Sequence, residues 1–152
     1  MVHFYSVDGI FPHDYKLFFS DNYLDNVKSI AGDKVHYTSL GTEGDSNIIW
    51  QRIVPGIPFV SARSLVNFAK HYAEGDDFYF LSTSKGNEEL LAQHKEKFGD
   101  DVIANLSISF SSFKPKLDSC GELVGTDMIQ VYSMDPAGKL PAMVTDLSLI
   151  HI

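Results

Sequence analysis

The sequence predicts an α+β fold in which one antiparallel sheet is accompanied by small helices. Three observations carry this expectation. From Lys34 onward, apolar residues recur with a period of two in stretches separated by Gly, Pro and Asp. Helical spacing is confined to short segments bounded by Pro or Gly. A chain of 152 residues, 44% of them apolar, supplies one sizeable core but not two. The expectation is one domain over residues 1–146.

The elements follow in order. Residues 2–7, "VHFYSV", alternate as a strand. "PHDYKLFFSD" opens a short helix with Pro12 near its start, where a missing N–H breaks no helical bond, and Tyr15, Phe18 and Phe19 share a face. "NYLDNVKSIAG" gives a second helix, with Tyr23, Leu24, Val27 and Ile30 as its apolar stripe and Gly32 as its stop. "KVHYTSL", "SNIIWQRIV", "SARSLVNFAKHY" and "DDFYFLSTS" read as an antiparallel meander divided by "GTEGD", "PGIP" and "AEGD". Between Asn87 and Asp101 the pattern turns helical, with Leu90, Leu91, His94 and Phe98 on one side. "VIANLSISFSSFKPKL" returns to a strand. Strict alternation puts Ala104, Leu106, Ile108 and Phe110 on one face and Asn105, Ser107, Ser109 and Ser111 on the other, which reads as the solvated back of the sheet, the alternative being a row of hydrogen-bonding groups lining its enclosed side. "LVGTDMIQVYSMD" pairs with it across a turn at Gly121.

The chain closes on "KLPAMVTDLSLIHI", which begins an apolar helix at Pro141 and stops. The final six residues, "LSLIHI", match one reading frame of a widely used transposase sequencing adaptor. Residues 147–152 are therefore expected to be adaptor read-through, and the C-terminal helix is expected to be truncated.

Several function classes are disfavoured. A net charge of −8 with scattered Lys and Arg does not suit a phosphate-tracking surface, so no nucleic-acid partner is expected. The lone Cys120, in the polar turn "KLDSCGEL", forms no disulfide framework and has no neighbouring His to activate it, which fits a reducing, cytoplasmic setting. No 18-residue apolar run and no signal-peptide pattern are present, so the "NLS" sequon at Asn105 is expected to stay unmodified. The six histidines lack metal-ligand spacing, and neither a paired-carboxylate nor a nucleophile motif is visible. No metal, cofactor or catalytic residue is expected.

The stretch "IIWQRIVPGIPFVSARSLVNF" resembles the steroidogenic-acute-regulatory-related lipid transfer (START) domain family. Pro55, Pro58 and Phe59 occupy the family's Pro-rich turn, and "RSLV", starting at Arg63, takes the place of its Arg-Asp-Phe-Val strand, with Ser64 for Asp. "MDPAGKLP" resembles the closing strand and turn before the family's long C-terminal helix, and the element order agrees from Val2 to Asp146. An additional N-terminal helix and two strands of the family have no counterpart here, so the domain is expected to be incomplete at both ends. The resemblance implies a helix-grip fold, in which a curved antiparallel sheet wraps a C-terminal helix around a tunnel for one lipid. It also implies non-catalytic lipid binding, transfer between membranes, and transient contact with a membrane surface.

Phospholipid, sphingolipid and sterol are the candidate ligands. Sterol binders of the family place a carboxylate and an Arg where Trp50 and Ala69 stand here, which counts against a sterol. Alternation puts Trp50 and Arg52 on one strand face and Leu65, Asn67 and Ala69 on the next, and these five are the candidate ligand-binding residues. Arg52 and Asn67 are the headgroup candidates. An ordinary solvent-facing Arg52 beside a core Trp50 is the plain alternative, and Arg63 is expected to anchor a turn or pair with an acid. The rival functions are a helix-grip superfamily enzyme, cyclase-like or hydrolase-like, acting on a small apolar molecule, and a lipid-sensing scaffold domain of a longer protein.

Overall fold

A computed structural model describes residues 1–19 and 22–138. The chain forms β1 (Val2–Asp8), α1 (Pro12–Phe19), α2 (Tyr23–Ala31), a 3-10 turn (Gly32–Lys34), β2 (Val35–Glu43), β3 (Ser46–Ile53), β4 (Arg63–Glu74) and β5 (Asp77–Thr83). There follow α3 (Glu88–Gln93), α4 (Lys95–Phe98), β6 (Val102–Ile103), β7 (Asn105–Leu117) and β8 (Leu123–Asp135). The helix expected from Pro141 and the suspected adaptor tail lie outside the described residues.

These strands make one sheet in the order β1-β8-β7-β5-β4-β3-β2, with the short β6 pairing in parallel with β4. The expected meander is present from β2 to β5. The first strand, however, pairs with the last, so β1 and β2 stand at opposite edges and α1 and α2 carry the chain from one edge to the other across one face. We call that face inner. Gly125 permits the closure of β1 onto β8, because a Cβ there would overlap the carbonyl of Val7.

The inner face is aromatic where the helices cover it. Phe19 lies 4.6 Å from Phe80 and Tyr15 lies 4.3 Å from Phe113, ring centre to ring centre. Phe78 and Phe113, each 2% exposed, lie beneath them. Burying such a side chain contributes about 1.5–3 kcal/mol, which for two short helices outweighs their weak intrinsic propensity. Val27 and Ala31 are the α2 residues turned inward beside Tyr23 and Leu24, whereas Ile30, expected in that stripe, is exposed.

The outer face is covered by α3 and α4, which set Phe98, Leu90 and Leu91 against Ile48, Val66 and Trp50. The expected single helix of this region is broken at His94 into two pieces. A third cluster joins Ile53 of β3 and Leu65 of β4 to Leu106 of β7 and Tyr132 of β8. Since β3 and β8 are separated by three strands in the sheet order, that contact requires a strongly curved sheet.

One expectation about facing is overturned. A bulge between Leu106 and Ile108 shifts the register of β7 on β8. Before the bulge Leu106 faces inward with Met134; after it, Ser109, Ser111 and Phe113 do, and Ile108 and Phe110 turn outward. The predicted rows of four are thus each split in two.

Candidate functional site

The five predicted site residues occupy two faces. Antiparallel pairing sets Trp50 opposite Val66 and Arg52 opposite Ser64, whereas Leu65 pairs with Gln51, Asn67 with Ile49 and Ala69 with Asn47. Paired residues project to the same side of a sheet. Trp50 and Arg52 therefore face outward under α3 and α4, while Leu65, Asn67 and Ala69 face inward. The sequence reading grouped them by alternation within each strand and lacked the offset between strands.

On the outer side, Trp50 and Arg52 belong to a closed hydrogen-bonded chain. The Arg52 guanidinium donates to both oxygens of Asp101, Nε to Oδ2 at 2.7 Å and Nη2 to Oδ1 at 3.0 Å. Ser64 Oγ donates to the same Oδ2 at 2.8 Å and accepts from Trp50 Nε1 at 3.0 Å. Arg52's hydrogen bonds, reinforced by Ser64, hold the Asp101 carboxyl below its ordinary value against the opposing effect of burial. Arg52, placed among the headgroup candidates by sequence, already has its anion. This cluster fastens the α4–β6 connection to β3 and β4, and Asp101 is the member that sequence reading missed.

Arg63 is also engaged. Buried at the mouth of β4, it donates through Nη1 to the carbonyl of Ser61 and through Nε to that of Pro136 at 3.4 Å. As expected, it anchors a turn, tying the loop before β4 to the end of β8.

The inner side differs. Asn67, 3% exposed, accepts a hydrogen bond at Oδ1 from Ser84 Oγ at 2.7 Å, and Ser84 Oγ in turn accepts from the amide of Leu106 at 3.0 Å. The adjoining inward positions are Ser82 on β5, opposite Ala69 and Ser109, and Ser111 on β7, opposite Phe80 and Gln130. Ser82 is 7% and Ser111 4% exposed. Among the described residues neither hydroxyl has a hydrogen-bond partner, and neither has the Asn67 amide nitrogen. Sequence reading left Ser82 and Ser84 unassigned. The signal was present in "FYFLSTS", where Phe78, Phe80, Ser82 and Ser84 continue one period-two face.

Three tyrosines complete the inner wall. Burial, with the Tyr132 phenol adding to it, pushes Tyr37 up to about 12. Burial likewise raises Tyr23 and Tyr132. All three stay neutral donors through the physiological range. Tyr37 Oη accepts from Gln51 Nε2 at 3.5 Å, which leaves its own proton available. The inner face is thus apolar and aromatic toward α1 and α2, apolar again around Leu65, Leu106 and Met134, and polar between.

Among the described residues no cluster of His, Cys, Asp and Glu could hold a metal ion, and no helix is long and apolar enough to cross a membrane.

No family model and no curated protein matches this sequence. Solved structures do. Human STARD10 superposes with a TM-score of 0.69 at 12% identity, over 97% of this chain and 55% of that one. The lipid transfer and protein localization domain of human StarD13 (DLC2) superposes with a TM-score of 0.61, also at 12% identity, over 92% of this chain and 64% of that one. The fold is START-like, and the chain spans less than two thirds of either neighbour.

Proposed function

We propose, on the premise of that START-like fold, that this chain is a non-catalytic module binding a single lipid against the inner face of its sheet. The observation that carries this reading is the inner face itself: a curved wall with apolar ends and, between them, hydrogen-bonding side chains that have no protein partner among the described residues. Holding a lipid tail out of water must offset roughly 0.8 kcal/mol per CH₂, on the order of ten kcal/mol for a sixteen-carbon chain. Only a concave apolar lining supplies that, and the structural neighbours have the same architecture. One of them is described as a lipid transfer domain.

Transfer requires touching a membrane. The feature that supports it is the loop at 54–62, where Phe59 is fully exposed and held at φ 65, an unusual conformation for a non-glycine residue. Pro55, Ile57, Pro58 and Val60 surround it in sequence, so the loop offers an apolar tip to an interface.

The test is organic extraction of the full chain purified from a lipid-rich host, followed by titration with vesicle-borne lipid. One lipid per chain, bound saturably, is expected. Absence of any stoichiometric lipid in both measurements contradicts the reading.

A further inference from the structure

We infer that the polar group of the bound lipid is uncharged and sits between two apolar arms. This inference rests on the lipid-binding reading above and narrows its ligand class. Two features of the inner face lead to it, its charge inventory and the order of its polar and apolar zones.

Strand pairing identifies every inward position of β1 to β5, β7 and β8, and none of them is Asp, Glu or Lys. The charged residues of α1 and α2 are exposed. His3 and His71 face inward beside aromatic rings, so among the described residues the permanent inward charge reduces to Arg63, whose Nε and Nη1 bind main-chain carbonyls. Arg52, the other guanidinium near the predicted site, lies on the far face and is occupied by Asp101. A phosphate or carboxylate brought to the middle of this face, away from Arg63 at the start of β4, would lose its hydration and find no cation among the described residues, which strongly disfavours it.

What the face does offer is neutral. Asn67 Nδ2, Ser82 Oγ and Ser111 Oγ come from residues at least nine-tenths buried on three neighbouring strands, β4, β5 and β7, and lack partners. The pairing of Ala69 with Ser82 and of Phe80 with Ser111 arranges them on a diagonal, each step moving one strand across and two residues along. An ester, amide or hydroxyl is both donor-compatible and acceptor-rich, and its transfer to such a site needs no counter-charge. On one side of the diagonal lies the Phe78, Phe80 and Phe113 cluster, and on the other Leu65, Leu106 and Met134. A lipid laid along this path has hydrocarbon at both ends and its polar group in the centre. Glycerol diesters and N-acylated amides have that layout, whereas a lipid with a terminal charged headgroup does not.

The experiment offers the full chain mixed vesicles of dioleoylglycerol and dioleoylphosphatidylcholine, which share acyl chains and differ in the headgroup. Protein-bound lipid is quantified by mass spectrometry after the vesicles are removed. Dioleoylglycerol should be enriched over its vesicle share by about tenfold, and the double variant Ser82→Ala, Ser111→Ala should lose most of that enrichment while keeping its near-UV circular dichroism. Asp101→Asn, on the outer face, should leave the enrichment unchanged. Equal or preferential uptake of the phosphatidylcholine overturns this inference and leaves lipid binding standing, as does enrichment that the serine variant does not alter. Uptake of neither lipid overturns both.

Discussion

The two faces of the sheet carry polar side chains and treat them in opposite ways. Outward, Trp50, Ser64, Arg52 and Asp101 form a chain in which the indole and hydroxyl donors and both carboxylate oxygens are used. Inward, Asn67 is half satisfied and Ser82 and Ser111 not at all. Ser64 on the outer face is as buried as Asn67, Ser82 and Ser111 on the inner, so burial alone does not separate structure from function here. Completeness of hydrogen bonding within the cluster does: a saturated cluster has nothing left to offer a ligand, whereas an unsaturated one leaves donors and acceptors for a ligand to take.

Substitutions on the two faces should therefore differ in kind, and the outer face should show the larger effects on stability. Asp101→Ala leaves a guanidinium and a fully buried hydroxyl without their acceptor. A loss of about 2–3 kcal/mol in urea unfolding is expected, less than for a sealed ion pair because the Arg52 side chain is 40% exposed. A loss below half a kcal/mol would mean that the outer cluster is not structural. Ser64→Ala should cost about 1–2 kcal/mol, because Trp50 Nε1 then lacks an acceptor beneath α4.

The same cluster sets an acid limit. The Asp101 carboxyl titrates lower in the folded chain than its unfolded value of 3.8, so its contribution is fully present above that pH and is lost as the pH falls through the lowered folded value. Comparing the acid unfolding of the parent with that of Asp101→Asn isolates the contribution, and the variant should show a shallower decline over that window. The smallest effect belongs to the inner face. Ser111→Ala should change stability by no more than about 0.5 kcal/mol, since the hydroxyl it deletes has no protein hydrogen-bond partner among the described residues. A drop of 1 kcal/mol or more would reveal a hydrogen bond that the proposed receptive role excludes.

Much of this fold was legible in the sequence because period-two alternation and Gly-containing turns are local signals. The strands from Val35 to Thr83 and the pairing of β7 with β8 follow from them directly. What was not legible is relational. Asn67 and Arg52 each alternate correctly within their own strands, yet the offset of β3 on β4, set across the nine residues between Ile53 and Arg63, puts them on opposite faces. The bulge at Leu106 and Ile108 is another such case, since "NLSISF" alternates perfectly and only the pairing with β8 shows that one residue is extra. The closure of β1 on β8 links residues at nearly opposite ends of the chain, for which local spacing holds no information. Asp101 was read as the end of a helix, and nothing near it in sequence points to Arg52.

The most direct test of the account is photo-crosslinking of the full chain with a diacylglycerol carrying a photoreactive group in one acyl chain, followed by peptide mapping. Adducts are predicted at inward positions of the sheet, Leu65, Asn67, Ala69, Ser82 and Ser111 foremost, with Trp50 and Arg52 unlabelled. Adducts concentrated on Trp50, Arg52 or the α3–α4 cover would place the lipid on the wrong face and contradict the account.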